Sequence, residues 1–133
     1  MTTVVFDTQA LLAFYLGEPG DDKVEAYLKK VLDNEVEGYM NVVNLAEFYY
    51  VLCRVGREVA EEKERNLRSF GVKIVSVQDK SELWKKAAII KAENAVSLAD
   101  AFAAATAITL KGSLITGADP EFNKIKNLKI ELI

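Results

Sequence analysis

Four acidic residues recur in one kind of local setting. Asp7, Glu47, Asp100 and Asp119 each sit close to where a strand-like run gives way to a helical pattern. The chain has no histidine and a single cysteine, Cys53. Proton transfer or metal binding must therefore rest mainly on carboxylates. A donor set made of oxygen, without imidazole or thiolate, suits a hard cation such as Mg2+ or Mn2+ and not zinc or copper.

Each acid also has an ordinary structural explanation. Asp7 and Asp119 fit helix N-caps, whose side-chain oxygen accepts a backbone N–H at a helix start. Asp119 is followed by Pro120, a favoured first helical residue. Asn44-Leu45-Ala46-Glu47 and Ser97-Leu98-Ala99-Asp100 both read as capping boxes, with the acid three residues past the cap. Capping and chemistry are compatible, because a helix N-terminus favours the ionised carboxylate that a metal ligand needs.

The elements that must position these acids follow from periodicity. Strands are expected at residues 3–6, 38–43, 72–77, 113–116 and 128–133. Between them lie helical patterns at 10–16, from Asp21 past Leu32, from 44 to near Gly56, over 57–69, 81–93 and 98–110. In the helix from 44, Leu45, Phe48, Tyr49 and Leu52 share one face, leaving Tyr50 outward. The charged run Glu61-Glu62-Lys63-Glu64-Arg65 reads as a solvated helix face. Leu83, Trp84, Ala87 and Ala88 are expected to face inward, and Cys53 reads as a small core residue. Short apolar strands alternating with helices predict an α/β fold with a mainly parallel sheet of about five strands. Functional crevices of such sheets lie beyond the C-terminal ends of the strands. Asp7, Glu47 and Asp119 closely follow predicted strands; Asp100 opens a helix with no clear strand before it.

Composition sets the outer bounds. A length of 133 residues, half of them hydrophobic, is what one domain with a sizeable core needs, so 1–133 is expected to be a single domain. The N-terminus lacks a basic region followed by a long apolar run, so no secretory leader is expected. No stretch approaches the roughly 18 apolar residues of a membrane span. One cysteine gives no internal disulfide and suits a reducing cytoplasm. The net charge of -3 is unlike most nucleic-acid binders. Cations bound by the acids would invert the local field and admit an anionic substrate.

Three or four acids at one end of a sheet would repel one another, and a divalent cation relieves that repulsion. It also supplies what phosphodiester hydrolysis needs, a more acidic water and charge stabilisation on phosphate oxygens. The local motifs sharpen this. Val4-Val5-Phe6-Asp7-Thr8-Gln9-Ala10-Leu11-Leu12, Asn44-Leu45-Ala46-Glu47-Phe48, Leu98-Ala99-Asp100-Ala101-Phe102-Ala103-Ala104-Ala105 and Thr116-Gly117-Ala118-Asp119-Pro120-Glu121-Phe122 occur in that order. Together they resemble the four acidic motifs of the PIN-domain family, in particular the VapC-type toxin ribonucleases of prokaryotic toxin–antitoxin pairs.

That resemblance implies a three-layer α/β/α PIN-like fold and a Mg2+- or Mn2+-dependent endoribonuclease acting on RNA. Asp7, Asp100 and Asp119 would hold one or two cations. Glu47 would position or deprotonate the attacking water, or join the ligand shell. Thr8 and Thr116 are candidates to orient carboxylates or water. The resemblance further implies a homodimer, a cognate VapB-type antitoxin and a cytoplasmic location. The chain departs from the family at two points: Asp119 lies three residues after Thr116 instead of one or two, which brings in Glu121 as the competing acid, and Gln9 stands where a small residue is common. Competing readings are a non-catalytic PIN-like binding module and a phospho-receiver domain. The receiver wants an adjacent acid pair after the first strand and a lysine after the fifth; here Asp7 stands alone.

Overall fold

Five short runs rich in β-branched and aromatic residues pair into one sheet, as such residues pack well on a pleated surface. They are β1 (Thr2–Phe6), β2 (Val36–Asn41), β3 (Lys73–Val75), β4 (Ser113–Thr116) and β5 (Lys129–Leu132). The computed structural model describes residues 1–78, 81–117 and 119–133. Every pairing is parallel and the order is β3-β2-β1-β4-β5. A receiver domain has the order 2-1-3-4-5, so this topology excludes it.

Six helices cover the sheet: α1 (Thr8–Leu16), α2 (Asp21–Leu32), α3 (Val42–Cys53), α4 (Arg57–Ser69), α5 (Leu83–Glu93) and α6 (Leu98–Thr109). Side chains of successive strand residues point to opposite faces. Val4 and Phe6 of β1 accordingly join one core with Leu11, Leu28, Phe48 and Leu67 from α1 to α4. Val5 enters a second core with Leu83 and Ala87 of α5 and the alanines of α6. The result is a three-layer α/β/α arrangement. The alanine stripe lets α6 lie close to β1, β2 and β4.

The termini of the elements follow local chemistry. Gly17 ends α1 in the left-handed conformation (φ 68°), a helix stop that costs glycine no Cβ clash. Asp21 and Asp22 open α2 and Lys29 and Lys30 close it, complementing the helix dipole. On α4, Arg65 and Arg68 pair with Glu61 and Glu64 one turn earlier, as expected of a solvated face. Among the described residues no helix is long and apolar enough to cross a membrane.

Three expectations need correction. Trp84 is 54% exposed and Ala88 also faces solvent. The buried stripe of α5 runs through Leu83, Ala87 and Ile90, so positions 84 and 88 lie about 100° off it. Cys53, at the last turn of α3, is exposed. The helix expected from residue 44 begins at Val42, because Asn41 supplies the N-cap by accepting from the Val43 N–H at 2.8 Å.

One close approach makes a stability prediction. A Cβ on Gly112 would lie 2.7 Å from the Thr3 carbonyl oxygen. That oxygen belongs to the neighbouring strand and cannot yield without disturbing the sheet. Gly112→Ala should therefore cost about 1–3 kcal/mol, read as a lower denaturant midpoint. Gly56→Ala, whose nearest neighbour would be 3.7 Å away, should shift the midpoint less. Equal midpoints for the two variants would contradict this packing.

Candidate active site

The sheet's strand order reverses at β1, which lies between β2 and β4, and crevices form beyond the strand ends at such a point. Asp7 directly follows β1 there. It caps α1, its Oδ1 accepting from the Ala10 N–H at 2.8 Å. Thr116, the last residue of β4, donates its hydroxyl to Asp7 Oδ2 across the same gap. Of the two threonines considered for orienting carboxylates, Thr116 does so. Thr8 instead donates to the backbone carbonyl of Asn44 at 3.2 Å, joining α1 to α3.

Asp100 reaches the same end by a different route. The helix α6 leads into β4, so it runs back across the sheet and its first turn lies at the strands' C-terminal end. Ser97 accepts from the Asp100 N–H at 3.1 Å, and Ser97 in turn hydrogen-bonds the Asp100 carboxylate. The expected capping box is thus present. Glu47 has no such role. With the cap at Asn41, it falls in the second turn of α3 and is half-buried. Its capping explanation disappears, since it lies past the first turn, where the unpaired N–H groups of a helix are.

Asp119 caps a short 3-10 turn (Pro120–Lys124), accepting from the Glu121 N–H at 2.9 Å. Glu121 pairs with Lys124 at 3.0 Å. Asp119, not Glu121, acts on the charge of Asp100. Ala118, within the fourth motif, lies outside the described residues. The departure at Gln9 has a local counterpart: its amide lies over Gly117, where a Cβ would come within 2.7 Å of it.

The electrostatics tie the acids together. Asp7 is 2% exposed. Burial pushes its carboxyl up to about 7, against the lowering pull of the Thr116 and Ala10 hydrogen bonds. The charges of Asp100 and Glu47 push it further up. Asp100 is also raised, first by burial and then by Glu47 and Asp119, with the Ser97 bonds opposing. All four acids therefore lie within electrostatic reach of at least one other. Among the described residues, however, no three acids converge tightly enough to cage an ion by themselves.

The donor set nonetheless fits a hydrated hard cation. Mg2+ takes one or two carboxylates and keeps several waters, so it does not need a tight all-protein cage. A further sign is the Asn44 side-chain oxygen, which is buried without a hydrogen-bond donor. Asn44 was not singled out as a site residue from sequence. The sequence signal was a polar side chain flanked by Val43 and Leu45; that it turns inward is decided by tertiary contact. A groove of about 580 Å³, lined by Phe14, Tyr15, Glu62, Lys63, Arg65, Asn66 and Ser69, lies apart from the four acids.

Residues 4–128 match the family model of the PIN domain. No curated protein matches the sequence. Similar solved structures include VapBC2 from Rickettsia felis bound to promoter DNA, at TM-score 0.78 and 18% identity over 98% of both chains. DNA-bound VapBC from Salmonella typhimurium gives TM-score 0.74 and 16% identity, again over 98% of both. Mycobacterium tuberculosis VapC20, a toxin described as cleaving the sarcin-ricin loop, gives 0.64 and 17% over 83% of this chain and 85% of that one. At such identities these likenesses establish the fold.

The raised carboxyls predict a pH dependence. Asp7 has an ordinary value of 3.8 and a folded value of about 7. Between those values the native state holds more protons than the unfolded chain, so stability falls as pH rises. Asp100 adds in the same direction. In cation-free buffer above pH 7, Asp7→Asn should be more stable than the wild type, on the order of a few kcal/mol. The gap should close towards pH 4. Thermal melts across this range check it; a gap that widens on acidification would have the wrong sign.

Proposed function

The chain belongs to the PIN domain family, and from that premise we propose that it is a Mg2+- or Mn2+-dependent endoribonuclease, the toxin of a toxin–antitoxin pair. One observation carries the reading. Four acids from four separate segments gather at the C-terminal end of a parallel sheet, and the most buried of them is destabilised first by its burial and further by its neighbours' charge. Fold maintenance alone gives no reason to assemble them, least of all Glu47, which caps nothing.

In this reading Asp7, Asp100 and Asp119 hold the cation, partly through water. The cation supplies a more acidic water and charge stabilisation on the scissile phosphate. Glu47 positions the attacking water or takes its proton. Thr116 holds Asp7 Oδ2 in a fixed orientation, which frees the carboxylate from rotamer search when the ion arrives. RNA is the substrate. The similar VapBC structures support a VapB-type antitoxin as partner, and the domain over 1–133 is proposed to act as a homodimer in the cytoplasm. Tyr50, exposed on α3, is available to either protein interface.

A second reading keeps the family without the chemistry: a PIN-like module that binds RNA or protein and does not cut. The absence of a tight acidic trio among the described residues favours it. The two readings part on cleavage.

Asn caps a helix nearly as well as Asp but is a poorer metal ligand. Asp7→Asn and Asp100→Asn should therefore stay folded while cleavage of total RNA in Mg2+ falls to the level seen in EDTA. Full cleavage by both variants would remove the metal assignment. Wild-type protein that binds RNA and leaves it intact would establish the binding module instead. Mn2+ at a hundred times its dissociation constant should stabilise the native state by about 2.7 kcal/mol, visible as a rise in melting temperature. An unchanged melting temperature at millimolar Mn2+ would count against a cation site in the folded protein.

A further inference from the structure

Buried polar side chains join the segments that carry the acids, and one residue stands at their junction. Asn44, fully buried in the first turn of α3, donates from Nδ2 to the Ala99 carbonyl at 3.0 Å and to Thr8 Oγ1 at 3.5 Å. Ala99 immediately precedes Asp100, Thr8 immediately follows Asp7, and Glu47 lies three residues along the same helix. The Thr8 hydroxyl returns a bond to the Asn44 backbone carbonyl at 3.2 Å. One amide therefore touches the neighbours of two acids and rides on the helix of a third.

The orientation of this amide is fixed by chemistry. The Ala99 carbonyl can only accept, so Nδ2 must face it. That leaves Oδ1 on the other side, buried and without a protein donor. An unpaired buried acceptor is destabilising, and native proteins rarely keep one without a water or ion to explain it. A hydrogen bond to Ala99 alone would need no asparagine, because serine or threonine hydroxyls also donate. The amide supplies two donors and an acceptor at one point.

We propose that Asn44 is a positioning residue for the reaction: its amide sets the spacing of the Asp7, Glu47 and Asp100 segments, and Oδ1 accepts from the water that a hydrated cation brings. Asn41 reinforces the same joint from below. It caps α3 through Val43 and donates from Nδ2 to Thr106 Oγ1 of α6 at 3.0 Å, both residues being fully buried. Two contacts with α6, one from Asn44 near the acids and one deeper from Asn41 at the head of α3, set how the two helices meet. The inference rests on the metal-dependent reading of the site.

Asn44→Leu keeps the volume and removes both amide groups; Asn44→Ser, too short to bridge both partners, serves if the leucine variant does not fold. The Mn2+ dissociation constant read from the concentration dependence of the thermal shift should rise about 10-fold or more, the usual effect of losing a residue that orients metal ligands. In RNA cleavage, kcat should fall while KM stays unchanged. Leu67→Ala, which opens a cavity under α4 away from the acids, is the control. It should lower the melting temperature with its Mn2+ dissociation constant unmoved. If the Asn44 variants melt lower but keep the wild-type Mn2+ dissociation constant and kcat, Asn44 is merely structural and the proposal falls. A wild type that shows no Mn2+ response overturns the metal reading itself, and the role of Asn44 with it.

Discussion

Burying a carboxylate at the end of the central strand is the constraint from which the rest of the site follows. Asp7 is almost fully removed from water, and desolvation outweighs the two hydrogen bonds that it accepts. Those bonds are good ones: a backbone N–H at a helix start and a hydroxyl from the adjacent strand. In a merely structural cap they would hold the carboxyl low. Here burial and the charges of Asp100 and Glu47 raise it to about 7. A proton on Asp7 removes all three costs by removing its charge; in the proposed reading a divalent cation offsets them while the carboxylate stays ionised.

The topology converges on that point from both directions. β1 and β4 deliver Asp7 and Thr116 as neighbours where the strand order turns. The helix α3 starts at the same end because it follows β2, and α6 arrives there because it must run back before feeding β4. Parallel sheets place helix N-termini together in this way, and N-termini favour anionic groups. The buried asparagines then convert rough proximity into defined spacing. An apolar contact between α3 and α6 would tolerate sliding; a pair of directional bonds does not.

Much of this was legible in the sequence, and the failures are informative. Asp7, Asp100 and Asp119 stand beside strong cap signals, and the structure puts them at helix starts. The strands were readable to within a few residues because β-branched runs end in glycine, aspartate or asparagine. Glu47 was misread as a capping-box partner, since Asn44 and Glu47 have the right spacing while the actual cap, Asn41, lies three residues earlier. Two asparagines in one short stretch offer the same local chemistry, and only tertiary contact decides which one caps and which turns inward. Trp84 and Cys53 failed for a related reason. Residue type favours burial for both, but α5 and α3 already fill their core stripes with Leu83 and Ala87 and with Phe48 and Leu52. Repulsion among the acids was expected from their common end of the sheet, but which of them couple had no sequence signature, because it depends on three-dimensional separation.

The most direct test for a cation within the acid cluster is anomalous X-ray scattering from crystals grown with Mn2+. The expected result is a manganese peak within coordination or one-water distance of Asp7 and Asp100, with Asp119 and Glu47 at its edge. Crystals saturated with Mn2+ whose only anomalous peaks lie away from Asp7 would contradict it.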